Sequence, residues 1–318
     1  MAAATYPAAI LARMVKRRVA HIALGLAAAA LATALAACGA PAESTSGAAF
    51  QVAQTMPATS SFSESEATGS NGALIDASHS SQGYVGASAQ ASSRLKLLVV
   101  MGDATQTYDM SQDGTPIIAP LTFGSGSYTI RVMQNTSGDS YVELAHVDVT
   151  VELDDEFAPY LRPNVYCDYD EASACVAKAR ELVGSATNQG EALEAICDYI
   201  CSNVTYDDGK ASQLQSSSGY VPDPDDTLAE GKGICFDYAC LGAAMLRSQG
   251  IPTKVVTGYV SPDNIYHAWI EVYIDGTWVS AAFNVQAKTW SRLDLTFAAA
   301  GAGKSVGDGK EYTPRYVY

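Results

Sequence analysis

The sequence predicts an α+β fold, and three observations carry that expectation. Two helical-period segments, Glu171 to about Val183 and Gly190 to Val204, are followed by a third at "CFDYACLGAAMLRSQG" (235–250). Strand-like runs then follow one another: "KVVTGYV", "HAWIEVYI" and "TWVSAAF", with the last two joined by an Asp275-Gly276 hairpin turn. A separate group of alternating segments lies upstream, between residues 94 and 155. Helices and strands segregated in this way argue for antiparallel sheets rather than a doubly wound one.

The chain has 318 residues, of which 48% are hydrophobic, enough for a substantial core. Residues 14–38, "MVKRRVAHIALGLAAAALATALAAC", have a basic start, an apolar Ala/Leu run and small residues before a cysteine, the pattern of an export signal. The ending "LAAC" resembles the lipobox of bacterial lipoproteins, which implies cleavage before Cys38 and lipid on its thiol. An ordinary secretory signal or an uncleaved anchor are the alternatives, and Met14 is the expected start. The first 37 residues hold four basic and no acidic residues, so their removal takes the formal charge from −15 to −19. So acidic a chain would meet nucleic-acid phosphates with repulsion, and nucleic acid is excluded as a partner.

Residues 38–93 are rich in Ser, Ala, Thr and Gly with few large apolar side chains, and we expect a flexible tether there. A small β-rich domain should occupy 94–155. "RLKLLVVM" (94–101) has strand length and apolarity, and in "SYTIRVM" Tyr128, Ile130 and Val132 alternate with polar residues. "NTSGD" (135–139) supplies a hairpin turn. The apolar parity slips between Leu144 and Val147, which predicts a bulge or bend. The remainder, 156–318, forms the second domain, in which Leu193, Ile196 and Ile200 share one helix face. A loop from Asp207 to Asp226 precedes the third helix, and Gly250 ends that helix before Ile251 and Pro252.

Besides Cys38, the cysteines are Cys167, Cys175, Cys197, Cys201, Cys235 and Cys240. An even set in an exported protein invites disulfides, whose pairing the sequence leaves open for the first four. Cys235 and Cys240 should not pair with each other: five helical residues rise about 7.5 Å and turn about 140°, beyond disulfide reach. A zinc site wants further Cys or His ligands downstream, where the sequence offers only His267.

A reactive thiol is the remaining reading. His21 lies in the signal, His79 in the tether and His146 in the β-rich segment, which leaves His267 as the general base. Cys235 opens a helix, whose positive end should favour its thiolate. A third group should orient the imidazole; Asp294 in "WSRLDLTF" is the better candidate and Asn284 the fallback. Trp269 and Trp278 read as core aromatics, and Asp237 as a residue that favours a helix start.

The three blocks "GKGICFDYACLG", "YHAWIEVYIDGTWV" and "WSRLDLTF" resemble, in order, those of the bacterial transglutaminase-like superfamily, a branch of the papain-like thiol enzymes. The family pattern is Gly-x-Cys-x-Asp/Glu-Tyr-Ala on a helix, a His-Ala-Trp strand, and Trp-x-x-x-Asp-x-Thr. Leu295 departs from it where Pro is common, and a second tryptophan strand precedes the aspartate. The resemblance implies a cysteine helix packed on an antiparallel sheet, with Cys235 as nucleophile, His267 as base and Asp294 as orienter. It implies no cofactor and no metal. The expected activity is attack on a peptide or glutamine-type amide through a thioacyl intermediate, resolved by water or by an amine. Extracellular proteins or cell-wall peptides are the expected substrates, met at the outer face of the cell membrane by a lipid-anchored protein. A non-catalytic surface-binding or adhesive module that keeps the fold is the alternative.

Overall fold

The computed structural model describes residues 48–214, 219–261, 265–284, 289–293 and 312–318. The N-terminal part of this chain builds two antiparallel sheets from β1 (Thr68–Ser70), β2 (Ala73–Asp76), β3 (Tyr84–Ala89), β4 (Leu95–Met101), β5 (Ala104–Met110), β6 (Ile117–Pro120), β7 (Gly126–Ser137) and β8 (Ser140–Val151). The strand orders are β1-β2-β3-β6 and β5-β4-β7-β8. Period-2 alternation sends Leu95, Leu97 and Val99 of β4 and Tyr128, Ile130 and Val132 of β7 into the core. Each such side chain contributes about 1.5–3 kcal/mol.

The parity slip upstream of Val147 is a bulge. Val132 pairs with Ala145, whereas Met133 pairs with Glu143, so Leu144 is the extra residue. Its carbonyl accepts hydrogen bonds from Ser70 Oγ (2.7 Å) and Asn71 Nδ2 (2.9 Å), which docks the β1–β2 turn on the second sheet.

The expected tether is different in kind. Residues 38–47 lie outside the described residues, but from Ala48 onward the chain is built into the protein. The β-rich part therefore begins at Thr68, not at residue 94. Composition misled here because small residues suit close packing: Ala73, Ala87 and Ala89 are buried, and the strands of the facing sheet supply the bulk. Before β1, residues 48–60 run as an extended strap on the second part of the chain. Phe50 N–H donates to Thr187 O (3.0 Å) and Gln189 N–H to Ala48 O (3.1 Å). Ala53 N–H donates to Gln249 Oε1 (3.1 Å), Met56 N–H to Glu171 Oε2 (2.8 Å) and Ser60 Oγ to Pro163 O (2.8 Å).

The second part contains α1 (Ala174–Leu182), α2 (Gln189–Asn203), β9 (Thr205–Tyr206), α3 (Asp208–Leu214), α4 (Pro224–Glu230), β10 (Lys232–Gly233) and α5 (Cys235–Ser248). After them come β11 (Thr253–Val260), β12 (Ile265–Ile274), β13 (Thr277–Asn284), β14 (Thr289–Leu293) and β15 (Tyr312–Val317), in one antiparallel sheet of order β14-β13-β12-β11-β15. α1, α2 and α5 fall where the periodicity predicts, and carboxylate or amide oxygens take up the free N–H groups at the starts of α1 and α2. Asn188 Oδ1 accepts from Glu191 N–H (2.9 Å), while the Asp225 carboxylate takes the N–H groups of Ala174 (2.9 Å) and Cys175 (2.8 Å). The expected loop from 207 to 226 contains α3 and the start of α4. Asp275 (φ 52°) and Gly276 (φ 79°) form the β12–β13 turn, as a type I′ hairpin requires.

α5 is the buried centre of this part, with every residue from Asp237 to Ser248 out of contact with water. It lies against β11 and β12, whose Val255, Ile270, Val272 and Ile274 belong to the same core, while α1, α2 and α4 cover its other sides. Gly250 (φ 77°) ends it: Ile251 N–H returns to Leu246 O (3.1 Å) and Gly250 N–H to Arg247 O (2.9 Å). These two bonds are a Schellman motif.

Candidate active site

Cys235 is the first residue of α5. The turn that delivers it is set by Asp237, whose Oδ2 accepts the Ile234 N–H at 2.7 Å and so takes one donor that the helix start leaves unpaired. Glycine is required at 233 by close approach: a Cβ there would stand 2.6 Å from Asp237 Cβ. The short strands β9 and β10 pair in parallel, with Gly233 opposite Tyr206. Thr205 N–H bonds to Gly231 O (2.9 Å) and Asp207 N–H to Gly233 O (3.0 Å), so the end of α2 runs beside the approach to Cys235.

His267 is half-buried on β12, opposite Gly258 of β11. β13 pairs with β12 only as far as Ile270↔Ala281, which leaves the His267 end of β12 beyond the described β13 ladder. Cys235 opens the helix that packs on β12, close enough to the Ala268 N–H, one residue from His267, for that group to favour the thiolate. The structure thus brings the nucleophile candidate to the strand of the base candidate. Asp294 lies outside the described residues, one position beyond β14. Asn284 ends β13, opposite Thr289.

Cys235 is half-buried, yet protein atoms crowd its sulfur enough that burial pushes the thiol above its ordinary value. The N–H groups of Ala268 and Phe236 pull it back down, and the Asp237 charge adds to the rise. The thiol therefore sits above its ordinary value, where the helix start alone leads one to expect it below, because desolvation outweighs the N–H donors. The phenol of Tyr206, 39% exposed, is raised by burial and by the neighbouring Cys235.

Cys240 is fully buried, its carbonyl accepting a hydrogen bond from Cys167 Sγ (3.5 Å). All six cysteines from Cys167 to Cys240 are thiols here, and burial raises each of them. Trp269 is 1% exposed and packs edge-on to Tyr312, a core aromatic as expected. Trp278 is half-buried among Phe157, Tyr160 and Tyr273, with the Lys254 ammonium 3.8 Å from its ring centre.

Sequence reasoning missed the partners of Asp237. This carboxylate is 0% exposed and paired with Lys210 Nζ at 2.8 Å. It also accepts the hydroxyl of Tyr220, whose ring lies 4.6 Å from the same ammonium. A signal was present: Lys210 is the sole Lys or Arg between Arg180 and Lys232, a stretch otherwise rich in acid.

A helix that opens on a half-buried cysteine, packed on an antiparallel sheet beside a histidine strand, defines a papain-like thiol arrangement. Residues 176–283 match the model of the Transglutaminase-like superfamily, and this part of the chain is a transglutaminase-like domain. A protein of Mycobacterium leprae, without a described activity, is 26% identical over 187 residues, 56% of this chain and 61% of its own. The chain thus spans about three fifths of that relative. A candidate cysteine protease from Cytophaga hutchinsonii is 20% identical, with a TM-score of 0.35 over 74% of this chain and 88% of that one. The periplasmic domain of TgpA from Pseudomonas aeruginosa is 16% identical, with a TM-score of 0.32 over 68% of this chain and 73% of that one.

Proposed function

We propose that the protein is a surface-anchored thiol enzyme acting on peptide or glutamine-type amides, with Cys235 as nucleophile, His267 as base and Asp294 as orienter of the imidazole. The observation that supports this most directly is the packing of α5, which opens on Cys235, against β12, the strand that carries His267. The imidazole takes the thiol proton, and the sulfur attacks the amide carbon. The backbone N–H of Cys235, at the helix start, offers the oxyanion a donor. As the C–N bond breaks, the imidazolium gives its proton to the departing amine or ammonia. Water or a second amine then takes the acyl group from sulfur and returns its proton to His267. Lipid on Cys38 would hold the domain at the outer face of the membrane, within reach of extracellular proteins and cell-wall peptides.

The test is acyl-donor profiling of the full chain, with and without an added primary amine, against Cys235→Ala. Ammonia release or peptide cleavage lost in the variant is the expected result. Identical signals from both proteins for every donor would sink the enzyme reading and leave the surface-binding module.

A further inference from the structure

We propose that Lys210 and Tyr220 are positioning residues for Cys235: by clamping the buried Asp237 carboxylate they fix the first turn of α5 and neutralise a charge that would otherwise oppose thiolate formation. This rests on the reading of Cys235 as the nucleophile.

The geometry is specific. Asp237 is wholly buried, two residues from the thiol, and its Oδ2 is shared between the Ile234 N–H (2.7 Å) and Lys210 Nζ (2.8 Å). Oδ1 takes the Tyr220 hydroxyl, and the Asp237 bond contributes, after burial, to raising that phenol. The clamp therefore spans α3, the segment before α4 and the first turn of α5. The titratable groups facing the carboxylate are Lys210 from α3, Tyr220, Tyr206 from β9, and Cys235, Tyr238 and Cys240 from α5. Lys210 is the cation among them. His267 lies on β12, next to Ala268, whose N–H acts on the thiol.

A buried carboxylate near a developing thiolate is costly in low dielectric, since like charges oppose ionisation. A cation on the carboxylate's own oxygen cancels most of that field. The helix keeps the mechanical benefit of the cap without its electrostatic penalty. A half-buried side chain does this: Lys210 is 28% exposed and reaches in from α3.

The experiment is iodoacetamide labelling of Cys235 in the full chain against pH, read by peptide mass spectrometry, with thermal unfolding recorded for each variant. Lys210→Met should raise the labelling midpoint by about 1 pH unit. Lys210→Arg should restore it. Combining Lys210→Met with Asp237→Asn, which keeps the cap oxygen but removes the charge, should also bring the midpoint back. A midpoint unmoved by Lys210→Met, or a double variant no different from the single one, overturns the proposal. If Lys210→Met does not fold, Lys210→Gln serves in its place, with the same two outcomes decisive. Failure of the catalytic reading shows separately: His267→Ala would leave the midpoint and rate of Cys235 labelling unchanged, whatever the Lys210 variants do.

Discussion

The two ends of α5 each bury a charge, and they handle it differently. At the N-terminal end Asp237 is met by an opposite charge, a hydroxyl and a backbone N–H. At the C-terminal end Arg247, also 0% exposed, is held by carbonyl oxygens: Thr253 O (2.8 Å), Arg162 O (3.0 Å) and Tyr318 O (2.8 Å). Both signs suit the helix dipole, acid at the start and base at the end. The difference lies in what is tied. Arg247 joins four chain segments through backbone oxygens. Asp237 fixes one turn through an ion pair whose cation is part-exposed and replaceable. One end is a brace; the other, under the proposed mechanism, is where charge changes.

The sharpest way to break this contrast is to remove chemistry from one end without disturbing the other. His267→Ala should lower turnover about 10²- to 10⁴-fold, the range for loss of a general base, while the thermal midpoint moves little. Steady-state kinetics beside a melting curve checks both. The opposite dissociation comes from the brace. Arg247→Met takes the guanidinium donors from three backbone oxygens and should cost about 3–5 kcal/mol in urea unfolding. Arg247→Lys should recover only part of it, because an ammonium cannot fork to three separated oxygens.

Buried thiols give the next largest effect. Cys167, beside α5, is fully buried and pushed from 9.0 up to about 11. A raised folded value means that the stability is present below the unfolded value and is lost as pH rises through the folded one. Between about pH 9 and 11 the protein should therefore lose ~3 kcal/mol from this group. Cys167→Ala should remove this share of the alkaline decline in a pH series of unfolding curves, leaving that of the other buried thiols. Smallest is the control for helix capping: Asp225→Ala, which removes the α4 carboxylate that caps the start of α1, should cost about 1–2 kcal/mol and leave Cys235 labelling untouched. An altered labelling midpoint there would blur the special status given to the start of α5.

Much of this arrangement was legible in the sequence. α5 was readable because its start, apolar run and terminal Gly250 are local signals, and Asp275-Gly276 dictates its own turn. Even the Leu144 bulge showed as a parity slip. Residues 68–89 were misread because alanine and serine strands carry no hydrophobic signal of their own; they become buried only when the facing sheet packs on them. The Lys210–Asp237 pair was hidden for a related reason, since 26 residues of intervening chain must fold before those groups meet. Asp294 lies outside the described residues, and its role as orienter is a proposal from the sequence.

The strap over residues 48–60 has a mechanical consequence. Its bonds run to the chain around α1, α2 and α5, not to the sheets that follow it in sequence. Tension applied ahead of residue 48 would first reach the junction of Ala48 and Phe50 with Thr187 and Gln189. The helical part would take the load, the β1–β8 sheets would sit slack behind it, and release would proceed as a zipper opening bond by bond.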